Sequence, residues 1–383
     1  MSSDTKLSPP DWQGKSGIDA VNALLQLRAL GQSVWVDDIR RAWLQDGTLQ
    51  GWIEADGIAG VTSNPAIFEK AILQGKEYGA QIAALAARGL PALQIYESLA
   101  VEDLRAAADL FAPLHRSSGG TDGFVSLEVS PLLADDAAAT VHEARRLWNS
   151  LDRPNAMIKV PATAAGLPAI RELIAEGINV NVTLIFGLAR YGQVVEAFLS
   201  GLEARASRHM PLRGIASVAS FFISRIDSAV DPRLDALATS DARTLRGAAA
   251  LALAQLAYGE FGKWTSGPRW QRLRDLGAQA QRLLWASTST KDPAYDELKY
   301  VEALIAPHTV DTLPSATLAA YRGRGQPEVR LPADVAVAQR QVDALRGMGI
   351  DLEEVAVQLE REGVRKFVEP FERLLAAIGG RGK

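Results

Sequence analysis

The sequence contains no cysteine, and that single absence removes several kinds of chemistry at once. Disulfides, thiolate nucleophiles and cysteine-ligated zinc or iron–sulfur centres are all excluded. Histidine is almost as scarce. His115, His142, His209 and His308 are scattered, and none forms an HxH or HExxH pair suited to a metal. Charge of one sign is not in excess either. With 41 basic and 45 acidic residues the net charge is −4, so no nucleic-acid or membrane-surface footprint is expected. An anionic ligand must then be held by a few placed cations. No apolar run reaches membrane-spanning length, and the polar start MSSDTKLSPPDWQGKSG lacks the apolar core of a secretory leader. The cytoplasm is the expected location.

What is present is a chain of 383 residues, 48% apolar and 22% charged, which is enough apolar surface to offset chain entropy and exclude disorder as the dominant state. Short apolar runs recur between longer helical patterns. The runs are 34–37, 57–61, 123–129, 156–160, 178–185, 214–220, 282–287 and 308–313. Between them, stripes such as Val141, Ala144, Leu147 and Trp148, or Leu167, Ile170, Leu173 and Ile174 before Gly177, have helical spacing. Eight strand-like runs alternating with helices predict an α/β fold, a (β/α)8 barrel. The long segments 66–122 and 225–280 predict extra helices on it. Residues 1–16 read as a flexible tail, 17–325 as the barrel, and 326–383 as C-terminal helices packed on it, with the Arg- and Gly-rich stretch 322–330 as a flexible join. In that last part Asp351 and Glu354 suggest a helix cap with its box partner, and Phe367, Phe371, Leu374 and Ile378 form an apolar stripe.

Polar residues interrupt the strand runs at alternate positions. Side chains alternate faces along a strand, so Ile158 and Val160 point one way and Lys159 the other. By the same parity Glu128, Asn181 and Thr183 lie opposite their apolar neighbours, and Asp37 opposite Val36. In a barrel all five can project into one interior, toward the C-terminal mouth where barrel enzymes work. Asp38, next along, is turned toward the helices and reads as structural. A buried charge without a partner is costly, so a lysine ringed by carboxylates and amides is hard to explain as packing. Lys159 is also the only lysine between Lys76 and Lys263. Burial disfavours a charged amine, and a neutral amine can attack a carbonyl to form a Schiff base, an electron sink for breaking a neighbouring C–C bond. Nearby carboxylates can move the protons.

Six ordered segments carry a specific likeness: 60–65 (GVTSNP), 125–129 (VSLEV), 158–163 (IKVPAT), 177–184 (GINVNVTL), 220–225 (SFFISR) and 286–288 (AST). On these the chain resembles the transaldolase family of class I, Schiff-base aldolases of the pentose phosphate pathway, over about residues 30–320. The longer bacterial subgroup is the nearest in its terminal extensions. The resemblance implies transfer of a dihydroxyacetone unit from sedoheptulose 7-phosphate to glyceraldehyde 3-phosphate, giving erythrose 4-phosphate and fructose 6-phosphate. It implies sugar phosphates as the small-molecule partners, no nucleic acid or membrane, and neither metal nor other cofactor. Lys159 would form the Schiff base. Asp37 would handle the proton of the donor C4 hydroxyl, and Glu128 with Thr183 would hold a catalytic water. Asn64 and Asn181 would bind the dihydroxyacetone hydroxyls, Ser220 the substrate, and Arg225 its phosphate. Phe222 would guard the intermediate, and the Ser287 segment and Lys291 would complete the substrate site. The family's second phosphate cation usually follows an Ala-Ser-Phe segment directly, whereas here Thr288, Ser289 and Thr290 precede Lys291.

Two other enzymes fit part of the pattern. A plain aldolase releasing free dihydroxyacetone is similar, but that group tends to carry Gln and Tyr where this chain has Glu128 and Phe222. A barrel glycosidase could use Asp37 and Glu128 as its carboxylate pair, but it leaves Lys159 unexplained.

Overall fold

The computed structural model describes residues 22–332 and 334–381; the 1–16 tail lies outside them. Among the described residues eight parallel strands close into a barrel in sequence order, β8 pairing back to β1. They are β1 (Gln32–Val36), β2 (Gly60–Val61), β3 (Phe124–Glu128), β4 (Ala156–Pro161), β5 (Val180–Ile185), β6 (Ser217–Phe222), β7 (Arg282–Ala286) and β8 (Thr309–Leu313). Nearly every strand residue is buried, because helices cover the outside while side chains fill the inside. The fold is the (β/α)8 barrel expected, with extra helices.

Each apolar run holds a strand, but two runs are shortened for local reasons. The run at 57–61 keeps only Gly60–Val61, since Gly57 ends the preceding helix in the left-handed conformation (φ 69°). Gly60 must be glycine there. A Cβ would lie 2.6 Å from the Trp35 ring and 2.8 Å from the Phe124 carbonyl oxygen, so β2 is the place where the interior closes tightly. In the run at 214–220 the left-handed Gly214 makes a turn, and β6 starts at Ser217 and continues to Phe222.

The long intervening segments are helical. Pro65–Gln74, Gly79–Ala87 and Ala92–Ser117 occupy the first, and Ser224–Leu237, Ala249–Ser266 and Pro268–Asp275 most of the second. Helix Gly166–Glu176 stops at Gly177 (φ 89°), as its sequence indicates. The stretch 322–330, expected as a flexible join, carries several contacts to the barrel. Arg322 binds Asp56, Arg324 binds Asp296 and Glu297, and the Arg330 amide donates to the Ile305 carbonyl, so its arginines find carboxylates and hold it down.

Two further helices follow, Val335–Gly347 and Leu352–Arg381. Asp351 caps the second by accepting from the Glu353 and Glu354 amides at 2.8 and 3.4 Å. The Glu353 carboxylate serves a different helix, accepting from the Leu188 and Ala189 amides at the start of Leu188–Ser207. Glu360, Gly363, Phe367 and Phe371 share one face of the last helix. Glu360 binds Arg190 at 2.9 Å, and Phe371 meets Tyr96 edge-on with centroids 5.5 Å apart. A Cβ at Gly363 would lie 2.8 Å from Leu184 Cδ2, so its absence lets the helix sit directly on the end of β5. No helix among the described residues is long and apolar enough to cross a membrane.

Candidate active site

At the C-terminal ends of the strands lies a cavity of about 210 Å³ lined by Asp37, Asn64, Lys159, Thr183, Ser220, Phe222, Arg225, Ser287 and Lys291, together with Thr62, Thr312 and Phe367. A larger cavity of about 510 Å³ opens at the other end, around Phe124, Met157, Val218 and Trp270. It lies at the strands' N-terminal ends, where barrel enzymes do not place their chemistry.

Register explains the convergence. Glu128 on β3 pairs with Lys159 on β4, and Lys159 with Asn181 on β5, so the three share a level and a face. Lys159 is 4% exposed, and its Nζ donates to the Ser63 carbonyl at 3.1 Å. Glu128 Oε2 is 3.4 Å from the same nitrogen, an ion pair without hydrogen-bond geometry. Burial pushes the Glu128 carboxyl up to about 7, against the pull of Lys159. Such a group can give or take a proton near neutral pH. Neither Glu128 Oε2 nor Thr183 Oγ1 has a hydrogen-bond partner among the described residues, so both are buried polar atoms with capacity to spare. Thr183 sits where β5 changes register, and Leu184 takes a left-handed φ of 62°. This bulge ends the strict alternation read from the sequence, and it turns the strand end at the site itself.

Asp37 follows β1 and is half-buried. It accepts from Thr62 Oγ1 at 2.7 Å, and Thr62 is also 2.7 Å from Thr312 Oγ1. Burial raises its pKa, while Lys159, the Thr62 bond, Arg225 and Lys291 oppose the rise. Asp38 turns away to pair with Arg40 at 3.1 Å. Asn64 lines the cavity, but its Oδ1 caps the helix Pro65–Gln74 by accepting from the Ile67 amide at 3.0 Å.

Asn181 does not line the cavity. Its Nδ2 donates to Ser126 Oγ at 3.0 Å and its Oδ1 accepts from Ser220 Oγ at 2.7 Å, so the amide is used inside the barrel and aims Ser220. Two further cations, Arg225 and Lys291, line the space. Arg225 lies 5.3 Å from the Phe222 ring, and Lys291 donates to Ser289 Oγ at 2.7 Å. Neither forms an ion pair within 4 Å among the described residues, Arg225 Nη1 has no partner, and burial lowers the pKa of both.

Three contributors were not singled out in the sequence. Thr62 and Thr312 support Asp37, and Thr62 lay within a quoted segment without drawing attention. Phe367 comes from the last helix, with its ring centroid 5.5 Å from Lys159 Nζ. Its only signal was the apolar stripe, which said that it was buried but not against what.

The profile of the Transaldolase/Fructose-6-phosphate aldolase family matches residues 34–378. "Transaldolase 2" of Nostoc sp. is 44% identical over 375 residues, covering 95% of this chain and 98% of its own. "Transaldolase 1" of Streptomyces coelicolor is 48% identical over 359 residues, covering 93% and 94%. "Transaldolase" of Thermobifida fusca is 48% identical over 358 residues, covering 93% and 97%. A likeness that spans the barrel and the last helix together leaves one conclusion: the chain belongs to the transaldolase/fructose-6-phosphate aldolase family.

Proposed function

We propose that this chain is a transaldolase that carries dihydroxyacetone on Lys159 between sugar phosphates. The observation that carries the reading is one buried lysine in a small cavity, with two carboxyl groups near it and two cations that form no ion pair among the described residues lining the same space.

In this reading Lys159 Nζ passes a proton to Glu128 and attacks the C2 carbonyl of a ketose phosphate. The carbinolamine loses water to give an iminium, with Glu128 and Thr183 passing the protons. Asp37 takes the proton of the C4 hydroxyl as the C3–C4 bond breaks, and the electron pair flows into the iminium to leave an enamine. The aldose phosphate departs. An acceptor aldose then recaptures the enamine carbon, Asp37 returns the proton, and hydrolysis of the new iminium frees Lys159. Asn64 and Ser220 bind the hydroxyls of the three-carbon unit, with Asn181 acting through Ser220. Arg225, Ser287 and Lys291 take the phosphate, and a guanidinium suits that geometry. Sugar phosphates are charged and do not cross a bilayer unaided, so the reading puts the reaction in the cytoplasm.

The family name also covers aldolases that release dihydroxyacetone. Phe222 favours transfer: its ring packs at a tilt against Phe186, with centroids 5.1 Å apart, and makes an apolar wall that keeps water from the enamine. The test is to follow fructose 6-phosphate consumption and free dihydroxyacetone with and without erythrose 4-phosphate. Fast consumption only with the acceptor is expected. Equal release without it makes the chain a plain aldolase.

A further inference from the structure

On the outer face of β8, Asp311 is fully buried, and no cation among the described residues pairs with it. Its Oδ1 accepts from Thr288 Oγ1 at 3.0 Å, and its Oδ2 has no hydrogen-bond partner among the described residues. The proposed mechanism does not use it. Its place in the sheet is informative, however. Asp311 pairs in register with Trp285 of β7, while Thr288 lies three residues beyond Trp285. For the Thr288 hydroxyl to reach back to that level the chain must fold over, and it does so at Ser287, a non-glycine residue with φ 57°. An L-residue avoids that region unless surrounding contacts hold it there.

The contacts are visible on both sides. Ser287 faces the cavity, its carbonyl accepts from the Ser224 amide at 3.0 Å, and its hydroxyl is 3.0 Å from Ser224 Oγ. Ser224 is the residue before Arg225. Thr288 points the other way and is completely buried against Asp311. The turn is thus stitched to the Arg225 helix on one side and to β8 on the other, and Ser289 and Lys291 follow from it toward the cavity.

We propose that Asp311 is a positioning residue for phosphate recognition: by accepting the Thr288 hydroxyl it fixes the left-handed turn that presents Ser287, Ser289 and Lys291 to the phosphate of the substrate. This rests on the reading above that Arg225 and Lys291 bind phosphate. An acceptor is all the arrangement needs, so an amide in place of the carboxyl should serve.

The experiment compares Thr288→Val, Thr288→Ala, Thr288→Ser, Asp311→Asn and Arg225→Ala with the parent protein. KM and kcat are measured for fructose 6-phosphate with saturating erythrose 4-phosphate. Imine formation is measured separately as borohydride-trapped labelling by dihydroxyacetone, which has no phosphate. Thr288→Val is isosteric, and loss of its bond should raise KM roughly tenfold while leaving dihydroxyacetone labelling unchanged. Thr288→Ala should do the same by a different structural route, so one variant failing to fold leaves the other to decide. Thr288→Ser and Asp311→Asn keep a donor and an acceptor and should stay near the parent KM. If Arg225→Ala raises KM but Thr288→Val and Thr288→Ala do not, the positioning role is wrong and the phosphate reading stands. Equal loss of phosphate-dependent activity and dihydroxyacetone labelling in the Thr288 variants would make the contact merely structural. A flat response from Arg225→Ala overturns the phosphate reading and the positioning role with it.

Discussion

Burying ionisable groups in this barrel has consequences that reach beyond catalysis. Lys159 and Glu128 at least face each other, but Asp311 has only a hydroxyl, and burial lifts its carboxyl to about 8 from an ordinary 3.8. The sign for stability follows. Between those values the unfolded chain has released its proton while the folded chain still holds it, so stability falls as pH rises from about 4 to about 8. Below that window the contribution is fully present, and above it the loss is complete. Asn has no proton to lose. Denaturant unfolding at pH 5, 6.5 and 8 should therefore show Asp311→Asn gaining on the parent, by up to about 1.4 kcal/mol per pH unit. A difference that does not change with pH would mean that Asp311 is already ionised in the folded protein. At this scale much of the site was legible from parity alone: Lys159, Glu128 and Thr183 stand on one face because strand side chains alternate. The use of Asn181 was not legible, since alternation says which way an amide points but not which partner it meets. Only three-dimensional packing puts Ser126 and Ser220 on its two ends.

Among the elements, the strands were readable and the last helix only in part. Strands announce themselves because the face that packs on the outer helices must be apolar, so short apolar-rich runs recur between the helices, and each run found a strand. The bulge at Leu184 was hidden, since nothing in an Asn-Val-Thr-Leu sequence marks a change of register. The stripe of the last helix gave its buried face but not its neighbour, which depends on Gly363 fitting over Leu184 far away in sequence. That placement gives Phe367 a task. Its ring stands over Lys159 and lines the same cavity as the two cations. Phe367→Ala should lower stability by about 3 kcal/mol, the cost of truncating a buried phenylalanine. It should also admit water to the enamine, raising dihydroxyacetone release relative to transfer severalfold. Unfolding curves and a two-product assay check both. Lost stability with an unchanged release-to-transfer ratio would show that the helix braces the barrel without shielding the intermediate.

For the molecule as a whole, the near balance of 41 basic and 45 acidic residues fits a site that draws its ligand by local charge. Arg225 and Lys291 are brought to one cavity from two different strand ends, which is what a closed barrel does with residues distant in sequence. In the proposed function the chemistry runs through a covalent imine on Lys159 and needs no metal. The direct measurement is to incubate the protein with fructose 6-phosphate, reduce with sodium borohydride, digest it and map the adduct by mass spectrometry, before and after prolonged EDTA treatment. One reduced dihydroxyacetone adduct is expected, on the peptide containing Lys159, in the same yield in both samples. An adduct on Lys291 or another lysine, or labelling lost on chelation and restored by zinc or magnesium, would contradict the proposal.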